Sequence, residues 1–201
     1  QNGIAILASH LGKPKGRVDL KLSLRPVSKR LSRLLNQRVV FVEDCVGAVV
    51  RKVIAKSKAK DVILLENLRF HPEEKENEKG FSRSLASLAD LYVNDAFGTA
   101  HRAHSSIVGM TKFFSRPAAG FLMEKEIKHL SYAVSSAKRP YIAVIGGTKI
   151  TDKLGVIKNL LTKVDNALLG GGLFFNFFKV RGYEIGRSIF RIFKSSKIPF
   201  S

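Results

Sequence analysis

The chain has 201 residues, 45% of them apolar and 25% charged, a globular composition that excludes a disordered, collagen-like or low-complexity polypeptide. Its 35 Lys plus Arg against 16 Asp plus Glu leave a formal charge of +19, which draws in anions: nucleic acid, anionic lipid or small phosphorylated molecules. The single cysteine, Cys45, excludes an internal disulfide and a cysteine zinc site and fits a reducing, intracellular setting.

Gln1 to Ser9 has neither Met nor a basic leader, so it reads as mid-chain sequence without a signal or transit peptide. Ile4 to Ala8 then predicts a first strand, followed by helical spacing at Val27, Leu31, Leu34 and Leu35. Val39 to Val42, Val62 to Leu65 and Leu91 to Val93 predict the next strands, with Leu85, Leu88 and Ala89 on a helix before the last of these. Glu124 to Ala137 reads as a connector helix between Pro117–Gly120 and Arg139–Pro140, with a domain boundary near Lys138. Beyond it come the strand Tyr141 to Ile145, a helix through Leu154, Ile157, Leu160, Leu161 and Val164, and the strand Ala167 to Leu169. The strands are apolar throughout, the pattern of parallel strands covered on both faces. The alternation is βαβ, which predicts an α/β, doubly wound fold. The longest apolar stretch, Ala167 to Phe178, is broken by three glycines and Asn176 and falls short of the ~18 residues of a membrane-spanning helix, so no membrane partner is expected.

Charge is unevenly placed. Lys56, Lys58 and Lys60 read as a solvated surface, Glu73 to Glu78 is locally acidic, and no acid follows Glu184. In open α/β sheets ligands bind beyond the carboxyl ends of the strands. The residues there are cationic: Ser9 to Gly16, with His10 and Lys13; Glu66 to Pro72, with Arg69 and His71; and Asn94 to His104, with His101 and Arg102. Like charges gathered at one edge repel, so they predict a compact polyanion such as a carboxylate plus phosphate. Nucleic acid is disfavoured, because neither a long basic helix nor an exposed aromatic platform is recognisable. His101 and His104 have H-x-x-H spacing but lack a third metal ligand, so His101 is expected to bond the ligand and His104 to pack or cap locally. His129 reads as structural.

Two glycine turns follow. Gly146-Gly147-Thr148-Lys149-Ile150-Thr151-Asp152-Lys153 leads from a strand into an amphipathic helix, as in phosphate-binding turns, although it is neither G-x-x-x-x-G-K-[ST] nor G-x-G-x-x-G. Lys149 and Lys153 would repel each other near the positive helix end, a penalty an anion removes. Gly170-Gly171-Gly172 leaves two readings open, a flat heterocycle lying against bare backbone or tight strand-to-helix packing. The following Phe cluster reads as core.

Taken in order, Ser9 to Gly16, Glu66 to His71, Tyr92 to Ser106, Gly120 to Glu126, Gly146 to Lys153 and Gly170 to Gly172 resemble phosphoglycerate kinase, over roughly Ile4 to Ser188. The resemblance implies two Rossmann-like domains joined by a helix. Residues 1–117 would be part of the phosphoglycerate-binding domain, 118–138 the connector, and 139–201 the opening of the nucleotide domain, with an atypical basic tail from 189. It implies a glycolytic transferase, a cytoplasmic monomer, that moves a phosphoryl group between 1,3-bisphosphoglycerate and ADP to give 3-phosphoglycerate and ATP, with Mg2+ on the nucleotide. By motif, His10, Leu11, Gly12, Lys13, Arg69, His101 and Arg102 resemble the acid-side ligands. Gly147, Thr148, Lys149, Asp152, Lys153 and Gly171 resemble part of the nucleotide side, with Lys149 stabilising the transferring phosphoryl and Asp152 near the metal. At position 13 the family commonly has arginine, whose bidentate fork Lys13 lacks, and position 148 is often alanine. The resemblance also implies family elements before Gln1 and after Ser201, hence a fragment inactive by itself; the alternatives are a non-catalytic remnant binding a phosphorylated acid and a basic nucleic-acid-binding module.

Overall fold

The computed structural model describes residues 2–147 and 154–188. It divides into two compact units, Gln1–Glu126 and Ile127–Ser201. Both are α/β, built on parallel strands with helices between them.

In the first unit, β1 (Ala5–Leu7), β2 (Val39–Val42) and β3 (Val62–Leu65) form a parallel sheet with β3 in the centre. Alternation along β3 explains why its run is wholly apolar. Ile63 and Leu65 join Val42, Cys45, Val50, Phe81 and Leu85 in one core cluster, while Leu64 packs with Val39 and Leu24 in another. Thus α1 (Arg25–Leu35) contributes Leu31 to the second cluster, whereas α2 (Ala48–Lys56) and α4 (Lys79–Ala86) supply the first. Each such Leu, Ile or Phe contributes about 1.5–3 kcal/mol when taken fully out of water. Between β3 and α4, Leu68–Phe70 make a turn of 3-10 helix and α3 (Glu73–Glu76) one turn of α-helix.

The fourth strand lies further along than Leu91 to Val93. β4 is Val93–Asn94 and pairs in parallel with β5, Ala118–Ala119, inside the Pro117–Gly120 segment that precedes the connector helix. Pro117 has no N–H to give. At that position the N–H would face away from β4, so the ladder loses nothing: Ala118 N–H donates to Tyr92 O (3.0 Å) and Gly120 N–H to Asn94 O (2.8 Å).

The connector helix α5 spans Phe121–Ser135, starting ahead of the expected Glu124. Asp95 Oδ1 accepts the Met123 N–H at 3.0 Å and so caps its first turn. A Cβ on Gly120 would stand 2.4 Å from the Asp95 carboxyl carbon, so glycine is what admits that cap. The division between units falls within this helix.

In the second unit β6 (Ile142–Gly146) pairs in parallel with β7 (Asn166–Gly170), and α6 (Leu154–Leu161) and α7 (Gly172–Val180) follow them. Ile157 and Leu173 are buried against Ile145, Leu169 and Phe177. Coverage of both faces, expected from the apolar runs, holds for β3 but not here. Both helices contribute to the face carrying Ile145 and Leu169, and on the other face Val144 and Leu168 remain 78% and 58% exposed. No helix among the described residues is long and apolar enough to cross a membrane.

Candidate functional site

Because β1, β2 and β3 are parallel, their carboxyl ends share one edge of the sheet, and the cationic segments after β1 and β3 leave from it, while the third follows β4 in the separate β4–β5 pair. The side chain that organises this edge is Asn67, fully buried, two residues past the end of β3. Its Nδ2 donates to Leu11 O (2.7 Å) and Leu22 O (2.9 Å), and its Oδ1 accepts from Leu11 N (3.2 Å) and Arg69 N (3.1 Å). Those four bonds use the amide's full capacity. Next to it, Glu66 accepts from Ser23 Oγ (2.6 Å), Leu24 N (2.8 Å) and its neighbour Asn67 N (2.7 Å). The backbone of the loop after β1 is thereby fixed before any ligand group is considered.

Gly12 makes the turn there with φ +60°, and a Cβ would lie 2.6 Å from Leu22 Cδ2. Only glycine fits both conditions. Its carbonyl accepts from Arg69 Nη1 at 2.8 Å. Arg69 itself is only 9% exposed, and its Nε is buried without a hydrogen-bond partner. Burial first, and the Arg102 charge second, push the Arg69 guanidinium below its ordinary value, with Glu74 pulling the other way. A cation held in surroundings that oppose its charge, with a donor unused, is what an anion site looks like before its ligand.

Glu74 is the second organising side chain. It lies in the acidic run, yet it is completely buried. His10 Nε2 stands 2.7 Å from its Oε1, Ser106 Oγ donates to the same oxygen at 2.6 Å, and Ser106 N donates to Oε2 at 3.0 Å. His104, also buried, has its Nδ1 3.5 Å from Oε1 and unpaired, and its ring meets that of His10 edge to face with centroids 5.6 Å apart. Burial pushes the His104 imidazole down, and His10, Arg69 and Arg102 add to this against Glu74.

His10, Arg69 and Arg102 therefore belong to one electrostatic neighbourhood, with Leu11 and Gly12 in its frame. Lys13, His101 and Arg102 are exposed, and Lys13 and His101 make none of the bonds of this network. The H-x-x-H spacing of His101 and His104 does not translate into a pair, since one is exposed and the other buried; among the described residues the ligand-type atoms that do cluster are those of His10, Glu74 and His104, and of Asp44, Cys45 and His71.

In the second unit the two glycine turns touch. Gly171 has φ +66°, and a Cβ on it would lie 3.3 Å from Gly147 N and 3.4 Å from Gly147 O. Leu173 N donates to Gly147 O at 2.8 Å. This contact gives the packing reading of the glycine run a concrete basis: the ends of β6 and β7 approach backbone to backbone. Thr148, Lys149, Asp152 and Lys153 lie outside the described residues.

The phosphoglycerate kinase family model matches residues 1–199. The chain belongs to the phosphoglycerate kinase family. It is 53% identical over 186 residues to the phosphoglycerate kinase of Anaeromyxobacter dehalogenans, covering 92% of this chain and 47% of that protein. Against the phosphoglycerate kinase of Pelotomaculum thermopropionicum the figures are 54% over 190 residues, 94% and 48%. Among solved structures, the phosphoglycerate kinase of Pyrococcus horikoshii superposes with a TM-score of 0.81 at 38% identity, covering 90% of this chain and 46% of that one. That of Coxiella burnetii gives 0.77 at 36%, with 93% and 46% covered. The chain thus spans about half the length of these relatives.

In the first unit, the side chains that sequence reasoning passed over are Asn67, Glu74 and Ser106. Asn67 lies two residues before Arg69 in the segment after β3, and its place just past an apolar strand is the available signal. Glu74 has none: Glu73, Glu76 and Glu78 share its run, and only the fold selects which of them is buried.

Proposed function

We propose that the first unit binds 3-phosphoglycerate or 1,3-bisphosphoglycerate, as part of a glycolytic phosphotransferase that moves a phosphoryl group between 1,3-bisphosphoglycerate and ADP. The observation that carries this reading is Arg69, buried, with an unpaired Nε and the Arg102 charge beside it. Arg69 and Arg102 take the carboxylate and phosphate oxygens, with Lys13 and His101 reaching the ligand from the exposed side and His10, held by Glu74, lining the site.

In the forward direction the bond from phosphorus to the acyl oxygen of 1,3-bisphosphoglycerate breaks. A bond from phosphorus to a terminal oxygen of ADP forms, leaving 3-phosphoglycerate and ATP. Such a transfer asks for alignment and positive charge more than covalent help. A nucleotide lies, on this reading, beyond the ends of β6 and β7, beside the packed Gly147 and Gly171 backbones. On this reading Thr148, Lys149, Asp152 and Lys153 hold its phosphates and their Mg2+, and Lys149 neutralises the moving group. The setting is cytoplasmic and the chain monomeric, with 1–117 as the acid-side domain, 118–138 as connector and 139–201 on the nucleotide side.

Calorimetric titration with 3-phosphoglycerate tests the reading. Binding that is lost in Arg69→Ala supports it, and an Arg69→Ala variant that binds as well as the parent chain rejects it. For the 201 residues by themselves the reading expects binding without turnover, which a coupled ATP-forming assay running above an Arg69→Ala control would contradict.

A further inference from the structure

The acid-side reading names cations and leaves out the one acid among them. Glu74 has no exposed surface, and it lies on a single helical turn between the Arg69 segment and α4. Three hydrogen bonds converge on its two oxygens, from His10 Nε2, Ser106 Oγ and Ser106 N. These donors come from two different strand-end segments. His10 belongs to the loop after β1, and Ser106 follows Arg102 and His104 in the segment after β4. Ser105 adds a further tie, its Oγ donating to Glu73 O at 2.9 Å.

Hydrogen bonding then dictates where one proton lies. A carboxylate only accepts, so the hydrogen in the 2.7 Å contact belongs to His10 Nε2, and the ring's orientation is set by that bond. We propose that Glu74 is the positioning residue of the anion site, a buried carboxylate that holds His10 with its hydrogen on Nε2 and ties the loop after β1 to the segment carrying Arg102. The site's cations are thereby assembled before an anion arrives. This inference rests on the binding reading above and adds a residue to it.

A metal ion held by His10, Glu74 and His104 is the competing use of the same atoms. Two ligands on tetrahedral zinc stand about 3.4 Å apart, from bond lengths of about 2.0–2.2 Å. The His10 to Glu74 contact, at 2.7 Å, is closed to a hydrogen bond instead. Arg69 and Arg102 also make the surroundings electropositive, the wrong sign for a cation.

Long-range proton–nitrogen NMR on the 201-residue chain, at a pH above the ordinary histidine range, reads the His10 tautomer directly. The hydrogen should be on Nε2; finding it on Nδ1 overturns the proposal with no variant required. In Glu74→Gln the side-chain amide has one accepting oxygen for three donors, so His10 should become a tautomer mixture. Its affinity for 3-phosphoglycerate should drop about tenfold, the worth of one charge-assisted hydrogen bond. A folded Glu74→Gln chain with undiminished affinity overturns the idea. Should that variant not fold, Ser106→Ala decides: it keeps the His10 tautomer and should bind about threefold more weakly, having lost one of the bonds that place the carboxylate, while unchanged affinity counts against us. Zn2+ that displaces the His10 Nε2 hydrogen and tightens binding would assign a metal site and end the proposal. A parent chain that ignores 3-phosphoglycerate while His10 holds its hydrogen on Nε2 would instead sink the binding reading and leave the positioning role standing.

Discussion

Asn67 grips the main chain of Leu11 from both sides, donating from Nδ2 to its carbonyl at 2.7 Å and accepting its N–H on Oδ1 at 3.2 Å. Its backbone is 56 residues away in sequence, so this is a tertiary bond that does the work of secondary structure for a loop that has none. Replacing Asn67 by Ala strands Leu11 O, Leu11 N and Leu22 O at or near the protein interior. At about 1–3 kcal/mol for each buried group left unpaired, the expected loss is at least about 2 kcal/mol, seen as a lowered midpoint in urea unfolding.

Gly12 makes a separable prediction. An Ala there would need φ +60° and would meet Leu22 Cδ2 at 2.6 Å. The expected cost is about 1–2 kcal/mol in thermal unfolding, from the left-handed backbone and the displaced leucine together. Since Gly12 O receives Arg69 Nη1, the same change should weaken 3-phosphoglycerate binding in titration calorimetry by more than a surface mutation of equal stability cost.

Acid should destabilise the first unit through His104. Its imidazole is pushed below the ordinary value of 6.5, by burial first, with His10, Arg69 and Arg102 acting in the same direction and Glu74 opposing. The unfolded chain therefore takes up a proton that the folded chain refuses. This stabilisation is complete above about pH 6.5 and declines as pH falls below it. Unfolding free energies measured from pH 8 down to 5 should show the decline, and His104→Gln should flatten it.

Cys45 should be inert. It is buried in the core of the first unit, and burial, with Asp44 and Glu74 adding to it, pushes its thiol far above the ordinary range. A disulfide reagent at pH 8 should leave the native chain unlabelled and label it fully in urea; rapid labelling of the native chain would contradict this environment.

Much of the architecture was legible because local pattern and tertiary demand coincide. Val62 to Leu65 is apolar at every position since Ile63 and Leu65 serve one core and Leu64 the other. The cations after β1 and β3 could be listed from sequence because parallel strands of one sheet end on one edge. What could not be read was anything decided by a partner far along the chain. The earlier start of α5 follows from Asp95, 28 residues upstream of Met123. The burial of Glu74 follows from Ser106, 32 residues downstream, while the glutamates around it are indistinguishable by composition. The place of β4 follows from Ala118 and Gly120, whose N–H groups bond Tyr92 O and Asn94 O from 26 residues downstream. The motif cations Lys13 and His101 stay exposed and make none of the bonds of the Asn67 and Glu74 networks.

The oily side of the β6–β7 pair sets how a preparation will behave on the bench. With Val144 and Leu168 bare, copies attract, and a net charge of +19 holds them apart. Screening weakens only the second of these forces. Dilute buffer should therefore keep the protein clear, and ordinary saline should turn it cloudy.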